Sequence, residues 1–323
     1  MGLLAAHGLG EARIYRERRV AALVPAFNEE RHVGGVVTTM PSFVDHIIVV
    51  DDASVDGTTE AALAPGDPRV TLIRHEANEG LGASLIDAHL AALNTDAEIM
   101  VVMAGDGQMD PAYLPALLDP IVDGHVVFTK GNRFFSTRSW HGMPKHRVLG
   151  NIGLTFLTKI ATGYWDLFDP QNGYTAIARH ASERIDWNDL ARDYSFENDV
   201  LAHLGLQRAV IRDVDIPARY GDEVSSIRMR RVVRDILRTL GRAFNRRFWL
   251  QYVVRSFSPV ALFVFTGIPL LVWALVFGVW VAWMSIGPAE ASTATVMLVV
   301  MPLLVGLQLV LAAFVIDVLN QPR

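Results

Sequence analysis

Acidic residues with small or polar neighbours fall at the ends of several apolar runs. Asp51 and Asp52 end one such run and are followed by Ser54 and Asp56. Two adjacent carboxylates at a strand end cannot both point into a core, so at least one is expected to reach a polar ligand or a cation. The competing reading of the same residues is a turn and a helix cap. Asp106 ends another run, flanked by Gly105 and Gly107, with Gln108 two residues on. Small neighbours let a diphosphate approach the backbone, and oxygen donors from an Asp and a Gln, completed by phosphates and water, suit Mg2+ or Mn2+. Gly80 and Gly82 precede a helical pattern and could meet a phosphate or a base, although a two-glycine turn is a common structural device. The 10 histidines show neither HxxxH nor HExxH spacing and read as structural or surface residues. With no cysteine, a disulfide scaffold, a thiolate metal site and a cysteine nucleophile are excluded.

Alternating strands and helices must carry these residues. Residues 20–25, 46–50, 70–74 and 99–103 read as strands, and helical patterns follow in 28–40, from 56 and in 83–94. Such βαβ alternation predicts an α/β domain with a mostly parallel sheet covered on both faces. Ligands of such sheets bind at the carboxyl ends of the strands, where PAFNEE, DDAS, NEGLG and GDGQ all fall. Further strands are expected at 126–130, 174–178 and 209–216. Helices are expected over 149–160, with an apolar face able to touch a membrane, and around 196–204.

Charge and hydropathy divide the 323 residues unevenly. Residues 1–225 carry 19 Lys and Arg against 31 Asp and Glu, a net of −12, whereas residues 226–323 carry 10 against 3, a net of +7. An acidic body of this kind is a poor nucleic-acid binder. Residues 256–289 and 291–316 contain no charge, and each stretch exceeds the ~20 residues that cross a bilayer as a helix. The link 285–293 reads as a turn between two spans. Residues 227–255 hold nine arginines and one acid, Asp235, with helical apolar spacing at Ile227, Val232 or Val233, Ile236, Leu237, Leu240, Phe244 and Phe248. This predicts a basic helix lying on an anionic membrane surface. Arginines before the first span and none in the turn predict a multi-pass protein of the cell membrane with body and both termini cytoplasmic. The first residues show no basic n-region, so no signal peptide is expected.

Eight segments, ALVPAFNEE, IIVVDDAS, NEGLGAS, MAGDGQMDP, KGNRF, DPQNGYTA, YSFENDVL and IPARYGDEVSS, stand in the order and spacing of family 2 glycosyltransferases. They resemble in particular the dolichol- and polyprenyl-phosphate glycosyltransferases, over roughly residues 18–226. The resemblance implies a GT-A type nucleotide-sugar-binding domain at 18–226 after an N-terminal extension at 1–17. A basic juxtamembrane segment at 227–256 and a two-helix transmembrane hairpin at 257–320 would follow, the hairpin offering a route to a homo-oligomer.

The activity implied is inverting transfer of one sugar from a UDP- or GDP-sugar to a polyprenyl phosphate at the cytoplasmic face. Carried over, Pro25, Asn28, Glu29 and Asp52 would surround the nucleoside. Asp106 would match the second acid of the metal-binding Asp-x-Asp, and Gln108 its following ligand. Ala104 stands where the first acid is expected, one carboxylate fewer. Arg133 and Arg219 would lie near acceptor or donor phosphate. Asp199, with Glu197 beside it, takes the place of the late acid: an orienting group for a phosphate acceptor, a base for a hydroxyl acceptor, or an ion-pair partner of Arg133 or Arg219. Asp166 and Asp169 are expected to shape the acceptor loop. A processive polysaccharide synthase is the nearest rival, but Arg247-Phe248-Trp249 has no matching Gln for its QxxRW signature. A catalytically silent scaffold retaining the fold is the other alternative.

Overall fold

The computed structural model describes residues 14–133, 145–217, 229–286 and 291–323. Seven strands form one sheet: β1 (Val20–Ala26), β2 (His46–Asp51), β3 (Val70–Arg74), β4 (Ile99–Val102), β5 (Phe128–Asn132), β6 (Thr175–Ala178) and β7 (Ile211–Asp215). Their order is β3-β2-β1-β4-β6-β5-β7, and β6 alone runs against its neighbours. The chain builds outward from β1 to β2 and β3, then returns to place β4 on the other side of β1. The crevice at this reversal is where open α/β sheets bind ligands. Here it is flanked by the loops after β1 and β4.

β1 is buried along its whole length, and its alternating side chains feed two cores. Val20, Ala22 and Val24 face α1 (Val33–Thr39) and α4 (Leu114–Val122). Ala21 and Leu23 face α3 (Leu81–Leu93) and α7 (Phe196–Leu206). A strand buried on both faces reads as a continuous apolar run, which is why β1, β2 and β4 were legible as strands. α1 starts later than the sequence pattern predicts, because Asn28 takes a left-handed φ of 58° and residues 28–32 form a loop. α2 (Thr58–Leu63) follows the turn after Asp56.

α5 (Lys145–Thr162), α7 and α8 (Met229–Arg247) pack through Ala161, Ala202, Ile236, Leu240 and Ala243. The apolar row expected to face a membrane therefore splits. Ile236 and Leu240 are buried in protein, while Val233, Leu237 and Phe244 remain exposed. A π-helical turn, Phe248–Val254, leads into α9 (Pro259–Met284) and α10 (Thr293–Leu319). Both are long and apolar enough to cross a bilayer. Only 22% and 11% of their most apolar windows are buried, which is the reverse of soluble core helices.

Candidate active site

The site grows from cross-links between the strand ends. Gly105 donates its N–H to the Pro25 carbonyl at 3.0 Å, and Asp52 donates its own to the Ala26 carbonyl at 3.0 Å. The loops after β1, β2 and β4 thus meet at one edge. Side chains finish the join: Asn28 N–H reaches Ser54 Oγ at 2.9 Å, Asn28 Oδ1 accepts from Val55 N–H at 3.0 Å, and Glu29 N–H reaches Thr58 Oγ1 at 2.8 Å. Asn tolerates the left-handed backbone at position 28 better than most residues. The Glu29 carboxylate lies 3.1 Å from His32 Nδ1.

Both acids of the Asp51–Asp52 pair are held by protein. Asp51 accepts from Ser54 N–H and from the Thr59 hydroxyl. Burial pushes its carboxyl up, but those bonds and Arg74 outweigh this and hold it below the usual range. Asp52, 3% exposed, accepts from His75 Nδ1 and from the N–H groups of Glu79 and Gly80, all at 2.8 Å. It therefore caps the turn that opens α3. Gly82, in the first turn of α3, lies against residues 191–192. A Cβ there would sit 2.5 Å from the Arg192 carbonyl carbon and 2.7 Å from the Ala191 oxygen, so only glycine allows this approach.

Asp106 occupies the turn after β4, where its Oδ1 accepts from Gln108 N–H at 2.9 Å. Among the described residues no group of three or more His, Cys, Asp or Glu could hold a metal ion. The protein thus brings one carboxylate and the Gln108 amide to this turn. So sparse a set fits a hard cation that keeps waters and shares phosphate oxygens, as Mg2+ does, rather than an all-protein cage.

Arg133 follows β5 and forms a fork on Asp169, with Nε to Oδ2 at 2.8 Å and Nη2 to Oδ1 at 3.2 Å. The loop carrying Asp169 adjoins the Asp106 turn, since the Tyr174 hydroxyl donates to the Asp110 carbonyl at 2.9 Å. Among the described residues, Asp199 forms no ion pair with Arg133. Its Oδ2 accepts from Ala191 N–H at 2.9 Å, and Oδ1 lies 3.8 Å from His203 Nδ1. Burial raises its carboxyl, opposed by the Ala191 N–H and His203. It holds the segment that Gly82 touches. Pro25, Asn28, Glu29, Asp52, Gly80, Gly82, Asp106 and Gln108 are thus brought to one cluster, with Arg133 beside it and Asp199 behind residues 191–192. Arg219 lies outside the described residues.

The family model described as glycosyl transferase family 2 matches residues 21–186, more than half of the chain. The chain belongs to glycosyl transferase family 2. It is 26% identical over 219 residues to the UDP-N-acetylglucosamine–dolichyl-phosphate N-acetylglucosaminyltransferase of Methanococcus voltae, covering 63% of this chain and 87% of the relative. It is 30% identical over 203 residues to the polyprenol monophosphomannose synthase of Mycolicibacterium smegmatis, covering 60% and 75%. Among solved structures it is similar to glucosyl-3-phosphoglycerate synthase from Mycobacterium tuberculosis in complex with Mn2+, UDP and glucosyl-3-phosphoglycerate. That match has a TM-score of 0.57 at 20% identity, covering 76% and 87% of the two chains, and shows a shared fold.

This glycosyltransferase holds a buried lysine in its sheet beside the cluster. Lys130, 1% exposed on β5, donates to the Asn172 carbonyl, and Asn172 Nδ2 donates to the Gly131 carbonyl at 2.7 Å. Burial lowers the Lys130 ammonium, while Glu197, Asp169 and Asp213 pull it back up. Burial likewise raises Glu197, and Lys130 opposes it. The two line a cavity of about 20 Å3 with His89, room for a single water. The only signal for Lys130 in the sequence was a lysine inside a run otherwise fit for burial. His75 was missed as well, because its partners Asp52 and Asp87 come from different elements.

Proposed function

We propose that this glycosyltransferase moves one sugar from a UDP- or GDP-sugar to a polyprenyl phosphate, with inversion, at the cytoplasmic face of a membrane. One observation carries the reading. A single sheet edge gathers the Asp106 turn with the loops of Pro25–Glu29 and Asp52, in a chain that continues into two largely exposed apolar helices. The names of the relatives, which act on dolichyl phosphate and polyprenol, support the acceptor class.

In this reading Pro25, Asn28 and Glu29 border the nucleoside, and Asp52 with Gly80 and Gly82 shapes the turn beneath it. Asp106 and Gln108 would hold Mg2+ or Mn2+ together with the donor diphosphate. Such a cation, when bound, offsets charge gathering on the leaving group. Arg133, fixed by Asp169, would present positive charge to the acceptor phosphate as it reaches that turn. An acceptor phosphate oxygen forms the new bond to the anomeric carbon as the carbon–oxygen bond to the diphosphate breaks, and the nucleoside diphosphate leaves with that electron pair. A phosphate monoester has its second pKa near ~6 and is mostly dianionic at pH 7, so no protein base is required. Asp199, already engaged by Ala191, then orients rather than abstracts a proton.

Nine arginines in residues 227–255, and no Lys or Arg in 285–293, support a multi-pass protein with the catalytic body in the cytoplasm. Purified protein incubated with labelled nucleotide sugars, polyprenyl phosphate and Mg2+ or Mn2+ tests the reading. A lipid carrying one sugar is expected. Polymer would point to a processive synthase, and no turnover with any donor or metal to a silent scaffold.

A further inference from the structure

Residues 163–174 connect α5 to β6, and both ends of this strap are tied down. Toward α5 it meets the last turn of α10. The Asp317 carboxylate, 8% exposed, accepts from Arg247 Nη1 at 2.8 Å and Nη2 at 3.0 Å, from Trp165 Nε1 at 3.2 Å and from the Tyr252 hydroxyl. Arg247, 4% exposed, also donates to the Ile160 carbonyl at 2.7 Å. It passes over Gly163, where φ is 83° and a Cβ would lie 2.4 Å from Arg247 Nη1. Beyond the helix end, Gln321 Oε1 accepts from Trp165 N–H at 3.0 Å, and Gln321 Nε2 donates to Asp166 Oδ2 at 2.5 Å.

Toward β6 the same strap holds the site. Asp169 grips Arg133, the Asn172 carbonyl receives Lys130, and Phe168 N–H donates to Asp213 Oδ2 at 2.8 Å. Trp165 and Asp169 are four residues apart, a span of at most ~14 Å, so there is little slack to absorb a shift at either end. The cost of desolvating Arg247 and Asp317 is not needed for anchoring, which two apolar helices already supply. Fixing register is the best-attested use of such a buried pair.

We propose that Asp317 and Gln321 are positioning residues for the acceptor side of the transfer. They set the strap, and through Asp169 the Arg133 guanidinium, at a fixed place relative to the membrane helices along which a lipid-borne phosphate must arrive. This rests on the sugar-to-lipid-phosphate reading above.

The test uses the full chain in lipid nanodiscs, comparing wild type with Asp317→Asn, with the milder Gln321→Ala and with Asn320→Ala as a neighbouring control. In both test variants, hydrogen exchange at the amides within 166–172 should speed up by ~10-fold or more while α3 keeps its protection. KM for polyprenyl phosphate should rise by ~10-fold with Kd for UDP or GDP held within about 2-fold, a coupling of ordinary size between linked sites. Unchanged exchange at 166–172, an unchanged acceptor KM, or donor affinity falling in step would overturn the proposal. If Asp317→Asn does not fold, Gln321→Ala decides alone, since it removes only the bonds at the strap's outer end. Wild-type protein that transfers no sugar to any polyprenyl phosphate would sink the functional reading instead, and exchange in the same samples would still report whether α10 holds the strap.

Discussion

Replacing Asp52 with Asn separates a residue that builds the donor site from one that touches the donor. The carboxylate accepts from His75 Nδ1 and Glu79 N–H on one oxygen and from Gly80 N–H on the other. An amide of the same size has a single acceptor oxygen, so one backbone N–H loses its partner whichever way it is set. Orphaning a buried donor costs ~1–3 kcal/mol, and the lost charge assistance to His75 adds ~1, for a total of about 2–4 kcal/mol. At ~2–4 °C per kcal/mol, thermal unfolding of the full chain in detergent should fall by ~5–15 °C. Because the Glu79–Gly80 turn positions the Gly82 contact, titrations with UDP and GDP should weaken together with stability. Nucleotide binding lost at unchanged Tm would show instead that the carboxylate is kept for the nucleoside itself.

Gly82→Ala drives a methyl into the backbone of Ala191 and Arg192. It should cost ~1–3 kcal/mol in thermal denaturation and raise the donor KM. A variant indistinguishable from wild type would show that the segment can move away freely. Asp106→Asn should lower kcat by ~10²-fold through lost charge stabilisation and blunt the response to added Mg2+ or Mn2+. Activity within a few-fold of wild type would place the cation elsewhere. Burial lowers the His75 pKa, but Asp52 and Asp87 outweigh it and leave the value above 6.5. Its contribution to stability is therefore complete below pH 6.5 and is lost as pH rises through the folded value. Tm should fall over that window in wild type, and a His75→Gln variant that still shows the full step would assign it to another group. For topology, Ala291→Cys supplies the sole thiol and leaves the Ser292 cap on Thr295 intact. It should react with an impermeant reagent in intact cells, and labelling only after lysis would contradict the orientation.

The parallel half of the sheet was legible because buried strands leave continuous apolar runs, and the loops of the candidate site sit where such strands end. β6 was legible as a strand but not as antiparallel, since alternation with helices carries no direction and the strap before it has no apolar period. β5 lies two residues later than predicted, at Phe128–Asn132, so Gly131 and Asn132, polar turn residues in sequence, continue the pairing with β7. The α8 row read as a single membrane-facing stripe because periodicity does not say which apolar side chains meet α5 and α7. The same limit applies to charge. Arg247 looked like one more basic residue of a solvated face and Asp317 like the end of an uncharged stretch, yet they pair across 70 residues. Asp52 shows the converse, a residue in the predicted cluster whose partners turn out to be backbone of the neighbouring loop.

A choice of acceptors separates a lipid-borne phosphate from every other nucleophile. The purified 323-residue chain in nanodiscs would be offered polyprenyl phosphate, the matching polyprenol without phosphate, and 3-phosphoglycerate, each with the same labelled nucleotide sugar and divalent metal. One sugar is expected on the polyprenyl phosphate and none on the other two. Equal transfer to the polyprenol would show that a hydroxyl is the nucleophile, and transfer to phosphoglycerate alone would make the membrane helices an anchor unrelated to the acceptor.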